Sequence, residues 1–578
     1  MNLKTIFALS VASVSFAACG VDEDAAKSIP VQESYTRDFI KTFGTINPNQ
    51  DWNVVEQKSV TINTSSPVDV LIYEKQGGEY KLAADYKAVS GSKTITFDGL
   101  EGDDTPFIVS LDGNMLPATN GETVNYNGQA AGVKRTSAIP SDCSWINRAE
   151  NGTKITLSSD DNIMEILSTD GQDHTKTVTV AGTGYTEFLE KGQGVTFYPM
   201  YWNSTYTHTA GIYYYDKDKA GIVRVPMYTD HDSDDLAFYT YYELGTLKFW
   251  GDPSYYTESG QTNCWYYDNW GSLVKRNHNV SYASDFQFKS HAYTVTPEQS
   301  ILCGIYVQIG NKYYYSNPAL NDDRQAHFAY RTVGSGNSAY TYLCFDDPET
   351  NDKDYNDLVF YTPRQLTPVT KKEISWLVAC EDLGGTFDYD FNDIVFRVYH
   401  LSGNDYLTIV PAAAGGTLEA YLYYGDTQVS DEWHQHFGDG HDYTDMINTG
   451  RIEEKNVWPI RLTGVPTDFS MTQFTQASSD DTADANDGGF KILVKNGDST
   501  YSVTRPSKGA APQMLVLPSD WQWPVELTRI TTTYPDFGTW GENYTTSSWV
   551  SNKVADTFIN MTENDIKQSK EIKVVPVK

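Results

Sequence analysis

Hydrophobic and polar residues alternate or form short apolar runs along most of this chain, and both patterns are typical of β-strands. The stretch 34–44 is different. Its apolar residues Tyr35, Phe39, Ile40 and Phe43 recur at helical spacing, and a glycine follows them. The pattern therefore predicts one short N-terminal helix before the strands begin.

The predicted strands are short, rich in β-branched and aromatic residues, and separated by Gly, Asp and Ser. The clearest are VTINTS (60–65), VDVLIYEK (68–75), KTITFDGL (93–100), VTFYPMYW (195–202), AGIYYYD (210–216), GIVRVPMY (221–228), ILCGIYVQIG (301–310), LEAYLYYG (418–425), FKILVK (490–495) and MLVLP (514–518). Since no long helical period intervenes, the fold class expected is mainly β, with several antiparallel β-sandwich domains of jelly-roll-like form. A second helix is predicted near 555–568.

Changes in pattern divide the chain into predicted units. They are a signal peptide (1–18), a tether (19–33), a helix and linker (34–54), a small β-sandwich (55–125), a central β-sandwich (130–365) and a C-terminal β domain (371–578). Each of the two larger units is long enough to bury a core of its own.

The chain carries 76 acidic and 43 basic residues, a formal net charge of −33. Such a surface repels nucleic acid and anionic lipid headgroups, so neither is expected as a partner. The same charge suits divalent cations, although solubility alone accounts for most acidic residues.

The N-terminus resembles a bacterial lipoprotein signal. Lys4 precedes a short apolar run that ends in FAACG, so Cys19 would be lipidated and become the mature N-terminus. The acidic VDEDA that follows resembles the surface-export signal of Bacteroides-type lipoproteins. An ordinary signal peptide is the alternative. The expected location is the outer membrane, lipid-anchored and facing outward.

Two stretches of the chain repeat each other 36 residues apart: DKDYNDLVF begins at Asp352 and DYDFNDIVF at Asp388. Aligned from Cys344 and Cys380, they match without a gap. The matched polar residues are Asp346 and Asp382, Asp352 and Asp388, Asp354 and Asp390, Asn356 and Asn392, and Asp357 and Asp393. Three apolar residues follow in each copy and predict a buried strand.

Oxygen ligands at alternate positions of a tight loop can converge on one hard cation, and calcium accepts 6 to 8 such ligands in irregular geometry. The ten matched residues are therefore predicted calcium ligands. The motif is not an EF-hand, because aspartate replaces the glycine required at the sixth position. The alternative is that Asp and Asn only build turns by bonding local amides.

The segment CEDLGGTFDYDFNDIVFRV (380–398) resembles the acidic signature of the LruC-domain family of exported, often lipid-anchored bacterial proteins. FGTINPNQDW (43–52), YYYSNPALN (313–321), MINTG (446–450) and YPDFGTW (534–540) agree with it. The resemblance implies a β-rich, calcium-binding lipoprotein of the cell surface. It implies no established activity.

Two further clusters are weighed. His434, His436 and His441 lie close in sequence and could hold zinc, but a polar loop with incidental histidines is the better interpretation. The aromatic segments near 250 and 265 supply candidate stacking residues for a sugar ring, although filling a core is their simpler role. These residues are Trp250, Trp265, Tyr266 and Trp270.

No nucleophile elbow, phosphate-binding loop or HExxH motif is present in the sequence. The expected function is therefore non-catalytic binding or adhesion to glycan, matrix or another surface protein, with calcium stabilising the β domains. A glycan-degrading hydrolase and a fimbrial or scaffold subunit are the alternatives.

Overall fold

The structure is a computed structural model. It describes residues 31–127, 187–202, 208–216, 221–229, 293–348, 355, 357–365, 369–384, 387–472, 489–544, 547–554, 556–568 and 571–577, together with short strands between 146 and 287. The described residues are mainly in strands, with one short N-terminal helix, which confirms the predicted fold class.

Helix α1 (Val31–Phe43) forms where the apolar spacing predicts it. Tyr35 and Phe39 are buried on its inner face. Gly44, with φ of 98°, ends the helix, and its amide donates to the Ile40 carbonyl at 3.0 Å. A left-handed residue after the last turn is favourable for glycine, which has no Cβ.

The N-terminal sheet contains β1 (Val55–Gln76), β2 (Glu79–Leu100), β3 (Phe107–Leu111), β4 (Asn114–Ala118), β5 (Glu122–Tyr126) and, from later in the chain, β25 (Val369–Glu373). Strands β1 and β2 form one long antiparallel hairpin, so segments predicted as separate short strands are continuous. Register shifts near Thr64 and Val68 bend this hairpin. Strand β5 pairs in parallel with β1, and β25 pairs in parallel with β2, so the sheet is mixed.

The central unit has a seven-stranded and a five-stranded sheet. The first contains β6 (Ile146–Arg148), β8 (Gly182–Thr183), β10 (Val195–Trp202), β19 (Tyr293–Val295), β22 (Phe328–Val333), β23 (Tyr340–Phe345) and β24 (Leu358–Thr362). The second contains β9 (Glu187–Leu189), β11 (His208–Asp216), β12 (Gly221–Thr229), β20 (Ile301–Ile309) and β21 (Lys312–Tyr315). Side chains of both sheets share one buried cluster, as in a sandwich.

Seven short strands complete the described part of the central region. They are β7 (Lys154–Thr156), β13 (Tyr242–Leu244), β14 (Leu247–Phe249), β15 (Tyr256–Thr257), β16 (Cys264–Tyr267), β17 (Leu273–Arg276) and β18 (Asp285–Gln287), of which β7 pairs with β18 and the others form small antiparallel ribbons.

The C-terminal unit is built on a six-stranded sheet of β26 (Ser375–Cys380), β27 (Ile394–His400), β28 (Tyr406–Ala413), β32 (Ile460–Thr463), β35 (Met514–Pro518) and β37 (Lys573–Pro576). A four-stranded sheet contains β29 (Glu419–Tyr424), β30 (Thr427–Gln428), β33 (Phe490–Asn496) and β34 (Ser499–Val503), and β31 (Asn456–Val457) pairs with β36 (Lys567–Gln568). The predicted helix near 555–568 is wrong, since the described residues there form turns and strand β36. Two helices that were not predicted precede it, α2 (Ile530–Thr533) and α3 (Asp536–Asn543).

The N-terminal sheet and the C-terminal unit share one continuous hydrophobic core. Trp52, between α1 and β1, stacks on Phe537 of α3 with ring centroids 5.3 Å apart. Its indole nitrogen donates to the Ala510 carbonyl at 2.7 Å. Helix α1 is thereby held against the C-terminal unit, close to the second acidic repeat.

Candidate metal centre

The second acidic repeat forms the loop of a β-hairpin. Strand β26 ends at Cys380, β27 begins at Ile394, and these two residues pair across the hairpin. Within the loop Tyr389 and Phe391 have φ of 57° and 54°. A left-handed aromatic residue costs about 1–2 kcal/mol, and both rings are fully buried in the shared core. Burial of these two rings therefore offsets the cost of their left-handed backbone conformation. The acidic residues alternate with them along the loop.

Three carboxylates of this loop converge. One oxygen each from Glu381, Asp388 and Asp390 lies within 4.8 Å of the other two. Glu381 is 1% exposed and Asp390 0%, whereas Asp388 is half-buried. Oxygens on opposite sides of a calcium ion lie up to about 5 Å apart, because each Ca–O distance is about 2.3–2.6 Å. The three groups are therefore spaced to share one ion.

Backbone amides fix the two most buried carboxylates. Glu381 Oε1 accepts from the Phe391 amide at 2.6 Å. Asp390 Oδ1 accepts from the Asn392 amide at 3.1 Å, and its Oδ2 accepts from the Leu527 amide at 2.9 Å. These bonds set the direction of each carboxylate and leave lone pairs for another ligand.

The electrostatics of the cluster are unfavourable without a cation. Burial, followed by repulsion from Asp388, raises the pKa of Glu381 well above its ordinary value. Burial and then Glu381 do the same to the pKa of Asp390. Among the residues that the structure describes, no lysine or arginine forms an ion pair with these carboxylates. Buried charges of one sign need a counter-ion or protons.

The other predicted ligands of this copy surround the cluster. Asp393 Oδ2 accepts from the Asp382 amide at 2.7 Å, and Asp382 Oδ1 accepts from the Gly384 amide at 2.6 Å. Asn392, 0% exposed, donates from its side-chain nitrogen to the Pro524 carbonyl at 3.1 Å. Local amides therefore shape the turn, as the second interpretation predicts, while a cation bound by these residues stays a prediction.

Two consecutive glycines close one side of the loop. A Cβ on Gly415 would lie 2.1 Å from Asn392 Oδ1, and one on Gly416 would lie 2.6 Å from Asp382 Oδ2. Both distances are shorter than any real contact. The chain after β28 approaches the acidic loop this closely only because these residues have no side chain.

Sequence reasoning missed Glu381, because the repeats were aligned from their cysteines. The strand pairing corrects this alignment by one residue. Leu358 pairs with Phe345, whereas its counterpart Ile394 pairs with Cys380. Asp346 therefore occupies the position of Glu381 and not of Asp382. The signal that could have found Glu381 is the acidic pair that ends the first strand of each hairpin.

The first acidic repeat is described only in part. Asp357 Oδ2 accepts from the Asp347 amide at 2.5 Å, which matches the bond between Asp393 and the Asp382 amide. Tyr355, the counterpart of Phe391, has φ of 53°. Asp346 and Asp357 are buried. Asp352, Asp354 and Asn356 lie outside the described residues, so a cation site in this copy stays a prediction.

The three histidines have separate partners. His434 bonds to Glu432 and to the Gly416 carbonyl, at 2.9 and 3.0 Å. His436 donates to the Trp458 carbonyl at 2.9 Å, while His441 bonds to the Asp445 carboxylate at 3.0 Å. Among the described residues, the group of side chains close enough to share a metal is the acidic one. His434 and His436 are buried in a short 3-10 helix (Trp433–His436), not in an exposed polar loop.

The remaining sequence candidates are outside what the structure describes. Cys19, Trp250 and Trp270 are not among the described residues, and for Trp265 and Tyr266 only the backbone of β16 is described. Lipidation and ring stacking stay predictions. Cys303, Cys344 and Cys380 are buried, as their apolar sequence context predicts.

Comparisons with known proteins add little. No family model and no curated protein matches the chain, so the LruC-domain likeness remains a resemblance of motifs. One solved structure, described as a "Putative lipoprotein from Bacteroides ovatus", is 15% identical, with 44% of this chain and 90% of that chain covered and a TM-score of 0.20. None of the described helices has the length and apolar character that crossing a bilayer requires.

Proposed function

We propose that this protein is a lipid-anchored, non-catalytic binding protein of the bacterial cell surface whose C-terminal β unit is stabilised by calcium. The observation that carries the calcium proposal is the convergence of Glu381, Asp388 and Asp390, with no lysine or arginine of the described residues paired to them. The ion would neutralise the repulsion within the loop and fix the hairpin to the core beneath it.

The chemistry of the cluster favours calcium over other metals. All three side chains offer hard oxygen ligands, and neither a histidine nor a cysteine belongs to the group. Zinc and copper prefer nitrogen and sulfur, while magnesium requires near-ideal octahedral geometry. An exported protein also meets calcium at concentrations suited to sites with Kd of about 10⁻⁴–10⁻³ M.

The burial of the cluster supports a structural role over glycan hydrolysis. A general acid or nucleophile must reach the glycosidic bond of its substrate. Glu381 and Asp390 have almost no exposed surface, so a polymer cannot contact them in this conformation. Binding to glycan, matrix or a surface protein is proposed from the aromatic segments of the sequence, and attachment to the outer membrane from Cys19.

Thermal unfolding of the full chain tests the calcium proposal. With Kd of about 10⁻⁴–10⁻³ M, about 2 mM calcium adds about 0.6–1.8 kcal/mol of stability. We expect the melting temperature of the unit to rise by a few degrees relative to EGTA. Glu381→Gln should remove this rise. Glu453→Gln, which changes an exposed acid paired only with Lys455, should retain it. An identical melting curve in calcium and EGTA for the wild-type chain would exclude the proposal.

A further inference from the structure

The segment 524–527 is attached directly to the acidic loop, although more than a hundred residues separate them in sequence. The Asn392 side chain donates to the Pro524 carbonyl at 3.1 Å, and the Leu527 amide donates to Asp390 Oδ2 at 2.9 Å. Glu526 lies between these two attachment points. Its own amide donates to the Thr449 carbonyl at 2.9 Å, which fixes its backbone.

Glu526 directly precedes Leu527, the residue whose amide bonds to Asp390 Oδ2, so its side chain begins next to the acidic cluster. Glu526 Oε2 is a buried oxygen with no hydrogen-bond partner among the described residues. This oxygen therefore has no hydrogen bond to replace the water that burial removes.

Asn392 provides an independent observation. Its side chain is fully buried, and Oδ1 has no hydrogen-bond partner within the described chain. Oδ1 faces the bare backbone of Gly415, where the Thr449 methyl group also approaches. Because the Glu526 amide donates to the Thr449 carbonyl, Thr449 lies next to both Glu526 and Asn392 Oδ1 beside the acidic loop. A buried amide oxygen that has no hydrogen-bond partner indicates a ligand that the protein itself does not supply.

We propose that Glu526 and the Asn392 side-chain oxygen are further ligands of the metal centre, in addition to Glu381, Asp388 and Asp390. This inference rests on the calcium proposal above. It gives the centre four carboxylates and one amide oxygen, close to the 6 to 8 oxygens that calcium requires. The same ion would then have a second structural role, because it would join the β26–β27 hairpin to the segment that leads into α2.

The ligand set also predicts ion preference. Four carboxylates around one divalent ion leave an excess of negative charge, which a trivalent ion of similar size neutralises better. Tb³⁺ should therefore bind more tightly than Ca²⁺, and Mg²⁺ should bind poorly. Removing one carboxylate should reduce the preference for Tb³⁺ over Ca²⁺, whereas a change that only loosens the segment should weaken both ions alike.

Calorimetric titration of the full chain with CaCl₂ and TbCl₃ separates the two proposals. We expect Glu526→Gln to weaken calcium binding at least about fivefold and to lower the Tb³⁺ preference, with Glu453→Gln unchanged. Glu526→Asp keeps the charge but withdraws the carboxylate, so it should weaken calcium binding in a chain that still folds.

The outcomes are distinct. If Glu381→Gln abolishes one calcium site while both Glu526 variants bind like the wild type, Glu526 is not a ligand and the calcium proposal stands. If both Glu526 variants weaken the two ions equally, the segment only supports the site and the inference is overturned. If the wild-type chain binds neither ion, the calcium proposal itself fails.

Discussion

The hydroxyl of Tyr389 donates a hydrogen bond to the Asp38 carboxylate at 3.0 Å, which joins the acidic loop to helix α1. The Tyr389 ring also packs against Tyr35, Phe39 and Phe43, with centroids 5.0–5.5 Å apart. Helix α1 follows directly on the predicted tether, so the candidate metal centre lies beneath the element nearest to the predicted lipid anchor.

This contact predicts that calcium controls the docking of α1. Without the ion, repulsion should loosen the loop that presents Tyr389, and α1 should detach more often. Trypsin can cleave after Arg37 and Lys41 within the helix. We expect faster cleavage at these residues in EGTA than in calcium, measured by mass spectrometry over time. Equal cleavage rates would show that the ion does not hold this helix.

The stabilisation by calcium should increase with pH. Burial raises the pKa of Glu381, Asp390 and Asp393, so the folded calcium-free chain retains protons that the unfolded chain has lost. Without calcium, the contribution of these three carboxyl groups to the stability of the folded chain is greatest below their unfolded pKa values near 4. This contribution is lost as the pH rises through their folded pKa values. The ion replaces these protons.

The measurement is the difference in melting temperature between calcium and EGTA from about pH 5 to about pH 8. Taking this difference at each pH cancels the effect on the melting temperature of titratable groups that do not contact the ion. One is His400, whose pKa burial lowers to about 4 and which destabilises both forms in acid. A difference that shrinks as the pH rises would contradict the assignment of these carboxylates to a cation site.

Asp388→Asn should have opposite effects with and without calcium. In EGTA the substitution removes one charge from the repelling group and should raise the melting temperature. In calcium it removes a ligand and should lower it relative to the wild type. The control is Asp426→Asn, an exposed residue paired with Lys491 in the turn before β30, which should change neither value by more than about 1 °C. If Asp388→Asn shifts both values in the same direction, its carboxylate does not bind an ion.

Cys19→Ala tests the predicted anchor. Without the thiol no lipid can be attached, so the protein should move from the membrane fraction to the soluble fraction of the producing cells. Cys143→Ser, at a second cysteine remote from the signal, provides the control and should leave the fractionation unchanged. Retention of the Cys19→Ala variant in the membrane would remove the lipoprotein assignment.

The sequence predicts local structure well wherever the pattern is strong. Helix α1 and the strands β11 and β12 lie where the spacing and composition of their residues predict them. The helices α2 and α3 were missed because they are short, and most of their stability comes from packing of Phe537 and Trp540 against distant residues such as Trp52. Contacts between residues so far apart in the chain produce no periodic pattern in the local sequence.

The same limit applies to the candidate site. The repeated acidic motif predicts Asp388 and Asp390 as ligands, because the alternation of side chains with oxygen ligands can be read from the sequence. Glu381 depends on a one-residue difference in strand register, and Glu526 on a segment brought in from far along the chain. Register and tertiary proximity are set by the packed core, so neither could be derived from spacing alone.

The most direct test of the account is anomalous diffraction from a crystal of the protein grown with calcium or Tb³⁺. We predict one strong anomalous peak about 2.3–2.6 Å from carboxylate oxygens of Glu381, Asp388 and Asp390. No peak at this position, with the three carboxyl groups bonded to one another or turned apart, would contradict the claim that a cation holds the acidic loop to the β framework.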